Sequence, residues 1–285
     1  MNKLTALLDD FSVNSHDDGY SLEDAINQRN LIAEHASAIP KRAIEAKGWN
    51  LSSLSANYIQ SQTLYRKNDT ASNAKLALWL ARSQEQAKQF YIDHSSMPDF
   101  AGLSKADVKE IAQLSVHEDI FAELPEILAL KGIILVYVPA LEGSKIDGAS
   151  FLLAGKIPVI AHAVRFNRLD NFWFTLIHEL SHVCLHFAHL STPIVDEDVW
   201  HDDTESPLYD MEIEADRLTR FSFIPATEWR TTPRRLEKIE SITEIADRNK
   251  VHPATIAGLI RHASNDYTLF NELVHSVDVH GMILS

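Results

Sequence analysis

The feature that most constrains the fold is an apolar segment that carries ionisable residues at helical spacing. Residues 172–187 read FWFTLIHELSHVCLHF, with apolar side chains at positions i, i+4 and i+8 of a predicted helix. The same segment contains His178, Glu179 and His182 in the pattern HExxH. Two histidines four residues apart lie one above the other on a helix, so both imidazoles can reach one metal ion. Because buried ionisable groups need partners, the segment predicts a core helix with a metal site.

The pattern HExxH is short, so its chance occurrence matters. With 14 histidines in 285 residues, about 0.05 occurrences are expected by chance. The alternative is a solvated helix face with two histidines and an unrelated glutamate. The apolar flanks favour the metal site, since they predict that the helix is mostly buried. Zinc suits such nitrogen and oxygen donors, and Glu179 is then placed to deprotonate a water molecule.

A catalytic zinc site needs a third protein ligand. The metzincin extension would place a histidine at position 188, which is an alanine here. His186, one turn beyond His182, is a minor candidate. Glu212 is the stronger candidate, because Asp216 lies one turn further along the same predicted helix. In this gluzincin arrangement the first carboxylate binds zinc and the second accepts the remaining N–H of a ligand histidine. The alternative is an ordinary acidic helix face that pairs with Arg220.

The rest of the chain predicts an α+β fold. Three short β-rich segments separated by glycine turns predict a small sheet, and their short connections favour an antiparallel one. These segments are 133–138, 149–153 and 158–162. Further helices are predicted by apolar spacing and by capping or breaking residues. They cover 21–48, 71–91, 104–120, 121–130 and 209–223, with three or four short helices in the tail.

Several segments resemble the ImmA/IrrE-type metallopeptidases. Residues 171–182 (NFWFTLIHELSH) resemble the family's "fWFTlaHElgH" segment, and residues 212–225 (EIEADRLTRFSFIP) resemble its "ExxAnxFAaxLLiP" helix. Residues 133–162 resemble the strands ahead of the active-site helix. Residues 242–261 resemble the end of members that are linked to Xre-type repressors. The resemblance covers about residues 39–267 of the chain.

The resemblance implies a zincin-like metallopeptidase core, in which a small antiparallel sheet accompanies an HExxH helix and a glutamate-bearing helix. It assigns Zn²⁺ to His178, His182 and Glu212, and the role of base and acid to Glu179. Asp216 is expected to accept a hydrogen bond from a ligand histidine without binding the metal itself. The expected reaction is hydrolysis of peptide bonds.

The expected organisation has three parts. Residues 1–100 form a helical N-terminal region, 101–230 the metallopeptidase core, and 231–285 a helical C-terminal subdomain. Only 38 residues precede a linker-like stretch at 39–49, and they are acidic. A DNA-binding half is therefore expected to be lost or to be carried on a separate chain.

The chain departs from the family pattern in two places. Ser181 stands where the family has glycine, and this small residue is expected to fit. After Asp216 the family's small residues are replaced by Leu218, Thr219 and Arg220, so this helix is expected to pack differently.

The formal charge of −14 argues against nucleic-acid binding over the whole surface, which needs a positive field. Half of that charge lies in residues 190–210, which hold seven carboxylates and no lysine or arginine. This stretch is either a solvated, partly disordered loop or a lid that docks a basic partner. The resemblance implies such a partner: an Xre-type repressor or antitoxin on a separate chain, as substrate or inhibitor. Two roles remain open for the chain: an enzyme that cleaves a repressor, or the toxin of a toxin–antitoxin or phage-defence pair.

Details of the reaction are less determined by the sequence. A second oxyanion donor is expected, and Tyr209, His201 and His162 are candidates. The strand at 157–162 is expected to align an extended peptide by edge pairing. One cysteine, no signal-peptide pattern and no apolar run of membrane length favour a cytoplasmic protein with no membrane contact.

Two other functions remain open. Residues 241–262 can form a helix-turn-helix, which would make the chain a DNA-binding regulator. The alternative for that segment is a helical subdomain that packs on the core, with DNA contacted weakly or only through a partner. The metal site can also be structural or vestigial, in a module that binds but does not cleave.

Overall fold

A computed structural model describes residues 70–197, 207–232 and 238–284 of the chain. The predicted helices at 21–48 and the candidate His201 lie outside these residues. Within them the chain is α+β, with helices packed around a small four-stranded sheet. The strands are β1 (Ile134–Tyr137), β2 (Ile146–Leu153), β3 (Ile157–His162) and β4 (Ile194–Glu197).

The described helices begin and end close to the predicted positions. They are α1 (Thr70–Asp93), α2 (Lys105–Gln113), α3 (Leu124–Ala129), α4 (Leu169–His186), α5 (Pro207–Phe223), α6 (Ala226–Thr231), α7 (Ile239–Asn249), α8 (Pro253–Ser264), α9 (Asn271–Val274) and α10 (Val279–Ile283). Only α2 and α3 are clearly shorter than predicted, because 3₁₀ turns lie between them. None of these described helices combines the length and apolar composition that crossing a bilayer requires.

The sheet is mixed, so the prediction of an antiparallel sheet is wrong for one strand pair. The strand order is β1-β3-β2-β4, and β3 runs parallel to β1 and antiparallel to β2. The chain leaves β1, forms β2 one strand away, and returns through a tight turn into the gap between them. β1 and β3 are therefore parallel without the long crossover that consecutive parallel strands need.

Strand β3 has a neighbour on each side, so the prediction that it offers a free edge to a peptide is wrong. Among the described strands the edges are β1 and β4. Strand β4 was not predicted; it lies in the acidic stretch and pairs antiparallel with β2, with Ile194 opposite Ser150 and Asp196 opposite Gly148. This part of the stretch is ordered sheet and not a solvated loop.

Helices cover both faces of the sheet. Alternate residues of a strand point to opposite faces, and in β3 Val159 belongs to the apolar cluster on one face and Ile160 to that on the other. Helix α1 packs on the first face, where the fully buried Trp79 donates its indole N–H to the carbonyl of Val138 (2.6 Å). Helix α4 covers the second face. The helix with the HExxH motif is thus held between the sheet and other helices.

The C-terminal helices pack directly on α4. Helix α8 buries every residue from Ala254 to Arg261. A Cβ added at Gly258 would lie 2.8 Å from the Cβ of Asp170, so glycine permits the close approach of α8 to α4. A recognition helix needs an exposed face, which this part of α8 lacks. The packing therefore favours a helical subdomain over a DNA-binding helix-turn-helix.

The predicted divisions at residues 100 and 230 stay a prediction. Helix α1 shares an apolar cluster with β1, β2 and β3. Helices α7 and α8 share the other cluster with α4. Both divisions therefore cross continuous apolar packing.

Candidate metal centre

Small side chains allow α4 and α5 to approach each other closely. Ser181 and Ala215 are fully buried between the two helices, and Thr219 is nearly so. The Ser181 hydroxyl donates to the carbonyl of Ile177 (2.7 Å) and lies 3.3 Å from the hydroxyl of Thr219. Serine is thus accommodated at this position, as expected from its small size. The close approach brings Glu212, one turn before Ala215, against the histidines of α4.

Three side-chain atoms converge where the sequence predicts the metal. Nε2 of His178 lies 3.0 Å from Oε2 of Glu212 and 3.0 Å from Nε2 of His182. Nε2 of His182 lies 3.5 Å from the same oxygen. Ligand atoms at 2.0–2.1 Å from a tetrahedral zinc are about 3.3 Å apart. His178, His182 and Glu212 can therefore hold a metal ion, and the donor set and its spacing fit zinc.

Asp216 lies behind the first histidine. Its Oδ1 is 3.1 Å from Nδ1 of His178. A carboxylate in this position accepts the Nδ1–H and leaves Nε2 free to bind a metal. The position of Asp216 is therefore the one that a carboxylate orienting a ligand histidine requires.

His186 supports the second histidine and is not in the group of converging atoms. Its Nδ1 lies 3.1 Å from Nδ1 of His182, and its Nε2 lies 3.1 Å from Oε2 of Glu214. If Nε2 of His182 faces the metal, its Nδ1–H donates to His186, and the Nε2–H of His186 donates to Glu214. The Glu214 side chain is mostly exposed, and it accepts this hydrogen bond from His186.

Replacing His186 by alanine is expected to lower the affinity for Zn²⁺ by about 10–100-fold, the usual effect of losing a group that orients a metal ligand. The physical reason is that the His182 ring loses the acceptor that sets its orientation. Chelator competition on the folded protein measures the affinity. His189→Ala is the matched control, because His189 is exposed just beyond α4. Equal affinities of the two variants would contradict the prediction.

Glu179 is fully buried and its two carboxylate oxygens have different surroundings. Oε2 accepts a hydrogen bond from the Ser150 hydroxyl (2.6 Å). Oε1 has no hydrogen-bond partner among the described residues. A Cβ at Gly148 would lie only 2.6 Å from that oxygen, so glycine leaves it room. Strand β2 thus gives Glu179 a hydrogen-bond donor at Ser150 and, at Gly148, permits its close approach.

Sequence reasoning did not identify Ser150 and Gly148. The two residues lie on the same face of β2, two positions apart. Nothing in the sequence shows that this face meets Glu179, because the contact joins segments about thirty residues apart. The only available signal is a strand with small residues ahead of the motif helix.

Burial and charge set different protonation states for the four central groups. Burial, with help from Asp196, raises the pKa of Glu179 well above its usual range. Burial lowers the pKa of His182 to about 4. Burial opposes ionisation of Glu212, but hydrogen bonds from both histidines outweigh it and lower the pKa of this carboxyl. Burial would also lower the pKa of His178, but Asp216 and Glu212 raise it well above its usual value.

Metal binding is expected to release about one proton at neutral pH, from His178. Glu212 is already ionised and His182 already neutral, because their pKa values are lowered. The pKa of His178 is raised, so its proton competes with the metal. The affinity should therefore rise with pH and level off above that pKa. Calorimetry in buffers of different ionisation enthalpy counts the protons, and a proton count of zero would contradict the prediction.

Two other histidines and a tyrosine were predicted as oxyanion donors. The ring of His162 is buried, accepts a hydrogen bond from the amide of Val164 (2.9 Å) and lies 3.1 Å from the carbonyl of Phe172. Burial lowers its pKa to about 4, so it is a neutral residue engaged in the fold. Tyr209 is not among the residues that line the cleft described below. Its role as a donor stays a prediction.

A cleft of ≈ 560 Å³ opens beside the three converging atoms. His178, Glu212 and Asp196 of β4 are among the residues that line it. Trp229 of α6 and Leu259 of α8 also line it. The C-terminal helices therefore form a wall of the cleft that leads to the candidate metal centre.

Comparisons with known proteins do not assign the chain to a family. No protein-family model matches the chain, and no curated protein matches its sequence. The candidate centre therefore stands on the arrangement of its own residues.

Proposed function

We propose that this chain is a zinc-dependent endopeptidase of the ImmA/IrrE type, with a zincin-like core. One observation carries the proposal: the ligand atoms of His178, His182 and Glu212 converge to 3.0–3.5 Å from one another beside a buried glutamate. A structural zinc site uses four protein ligands, whereas a hydrolytic site uses three and keeps one position open. Three converging side chains beside a cleft therefore favour a hydrolytic zinc site over a structural one.

The chain's own residues divide the remaining work. When bound, zinc supplies a Lewis acid that polarises a carbonyl and lowers the pKa of water. Glu179 accepts a proton from the attacking water at Oε1, which has no hydrogen-bond partner among the described residues, while Ser150 donates a hydrogen bond to Oε2. Glu179 then donates this proton to the leaving amine. Burial raises the pKa of Glu179, which is the direction that suits a carboxyl that must both accept and release a proton.

The substrate is an extended peptide. Peptides can bind by pairing with a strand at the edge of a sheet; among the described strands β4 is an edge strand, and its Asp196 lines the cleft. We assign to β4 the alignment that the sequence suggested for the strand at 157–162. Main-chain hydrogen bonds along this edge would position the scissile bond near Glu179.

The proposed partner is an Xre-type repressor or antitoxin on a separate chain, as substrate or inhibitor, in the cytoplasm. The acidic stretch at 190–210 supports a basic partner, because opposite charges speed encounter and favour binding. Repressor cleavage and a toxin–antitoxin setting both agree with this charge. The alternatives remain a DNA-binding regulator, which the buried α8 does not favour, and a metal-binding module without activity.

The experiment is co-purification of the zinc-loaded chain with the product of the adjacent gene, followed by mass spectrometry of that product. We expect a complex and a cut that disappears with Glu179→Gln. Binding without a cut, at one zinc per chain, would leave a binding module. Zinc that leaves only when the protein unfolds would indicate a structural site.

A further inference from the structure

We propose that the cleft contains a subsite for a carboxylate of the substrate peptide, and that Arg220 binds it. This inference rests on the proposed peptidase function and names the class of peptide that the enzyme prefers. Arg220 lies on α5, on the same helix as Glu212, and lines the cleft. The sequence suggested for it only a pairing with the acidic face of its own helix.

Three of the carboxylates that line the cleft, Asp147, Asp170 and Asp216, already have partners. Arg168 donates from Nε to Oδ1 of Asp170 (3.0 Å) and from a terminal nitrogen to Oδ2 (2.5 Å), so its fork is occupied. Asp147 pairs with Arg165 at 3.1 Å. Asp216 contacts His178 at 3.1 Å. Each of these carboxylates therefore already has a cationic or hydrogen-bonding partner.

Arg220 differs from Arg168, the other arginine of the cleft lining. The side chain is half-buried, and no hydrogen bond or ion pair joins it to any described residue. Asp216, one turn earlier on α5, contacts His178 and forms no ion pair with Arg220. A partly buried charge without a partner costs free energy until a ligand or water satisfies it. Arg220 is therefore a cation that lines the cleft and can pair with an anionic ligand.

The chemistry of the guanidinium selects the ligand. Its planar fork of N–H donors matches a carboxylate with two parallel hydrogen bonds. Trp229 and Leu259 line the same cleft, and apolar neighbours exclude water and strengthen such a contact. The subsite therefore fits a peptide segment that combines an apolar side chain with a carboxylate.

The position along α5 gives the distance from the reaction. Arg220 follows Glu212 by eight residues, which is about 12 Å along a helix at 1.5 Å per residue. An extended peptide advances about 3.3 Å per residue. The carboxylate is thus expected within about four residues of the scissile bond. Either a side chain of Asp or Glu or the C-terminal carboxylate of a short peptide supplies the same chemistry.

The test is cleavage of a degenerate octapeptide library by the zinc-loaded full chain, with products identified by mass spectrometry. We expect Asp or Glu to be enriched within four residues of the cut. Paired peptides then separate the two sources: Glu against Gln at the enriched position, and free C-terminal acid against amide. Arg220→Gln should lower kcat/KM for the acidic member of a pair by about 10–100-fold, the effect of losing a charge-assisted contact. Arg220→Lys should keep part of the preference.

The matched control is Arg217→Gln on the same helix. Arg217 is exposed, lies 5.9 Å from the ring of Phe221 and does not line the cleft. Its replacement should leave the preference unchanged. Cleavage without an acidic preference, or equal losses in the two glutamine variants, would overturn the subsite and leave the peptidase function in place.

A binding measurement covers the case in which no library peptide is cut. Fluorescence anisotropy of the labelled Glu/Gln and acid/amide pairs on the zinc-loaded Glu179→Gln chain reports the subsite without turnover. Tighter binding of the acidic members, lost in Arg220→Gln, supports the subsite even if the proposed function fails. Equal binding of both members, or no binding, overturns the subsite.

Discussion

Replacing Glu179 by glutamine is expected to abolish peptide cleavage while zinc stays bound. Glutamine has the same shape, and its amide oxygen can accept the hydrogen bond that Ser150 donates to Oε2 (2.6 Å). It cannot accept the proton at the other oxygen, so turnover should fall by about 10²–10⁴-fold, the usual contribution of a general acid–base group. Steady-state cleavage and the zinc content of the same sample measure both effects.

The stability of this variant provides the control for misfolding. The folded protein raises the pKa of Glu179 above that of an unfolded chain, so the charged carboxyl costs stability at neutral pH. Glutamine removes that cost, and the metal-free variant should melt at the same or a higher temperature than the parent chain. Retained turnover in a metal-replete, folded Glu179→Gln sample would remove Glu179 from its proposed role.

Replacing Glu212 by glutamine is expected to lower the zinc affinity by more than about 100-fold. Loss of a group behind a ligand costs about 10–100-fold, and Glu212 contacts both histidines directly, at 3.0 and 3.5 Å. A neutral amide is a poor substitute for a carboxylate as a zinc ligand. Titration against a chelator of known affinity, followed by cleavage at excess zinc, measures the loss.

The metal-free protein should also lose stability in this variant. The histidines lower the pKa of Glu212, so its carboxylate stabilises the fold above the pKa of the unfolded chain, and that contribution is lost as pH falls. Asp210→Asn is the matched control, because Asp210 is an exposed carboxylate on the same helix. Similar zinc affinities in the two variants would exclude Glu212 as a ligand.

The group that can hold a metal ion was predictable because local geometry decides most of its arrangement. His178 and His182 face the same way on any helix with 3.6 residues per turn. Glu212 and Asp216 repeat that spacing on the following helix. Only the meeting of the two helices needed tertiary contacts, and the small residues Ser181 and Ala215 allow it.

Strand order was not predictable in the same way. The β-rich segments and glycine turns that identify β1, β2 and β3 do not say which strands are neighbours. The antiparallel expectation failed because β3 returns into the gap beside β1. Strand β4 was not predicted, because a segment rich in carboxylates is typical of a solvated loop. Its pairing with β2 depends on a strand some forty residues earlier in the chain.

The sequence by itself determined the chemistry of the centre: a helix with two histidines and a glutamate, and a second helix with paired carboxylates. Helical periodicity and ligand type suffice for that. Only the tertiary structure decided the surroundings of the centre. The close approach of Glu179 to Gly148, the His186–Glu214 pair and the absence of a side-chain partner for Arg220 among the described residues each depend on which distant segments pack together, and that follows from burial of apolar faces. The physical reason is that hydrogen bonds and charges in the cleft are set by neighbours in space, which a one-dimensional pattern does not contain.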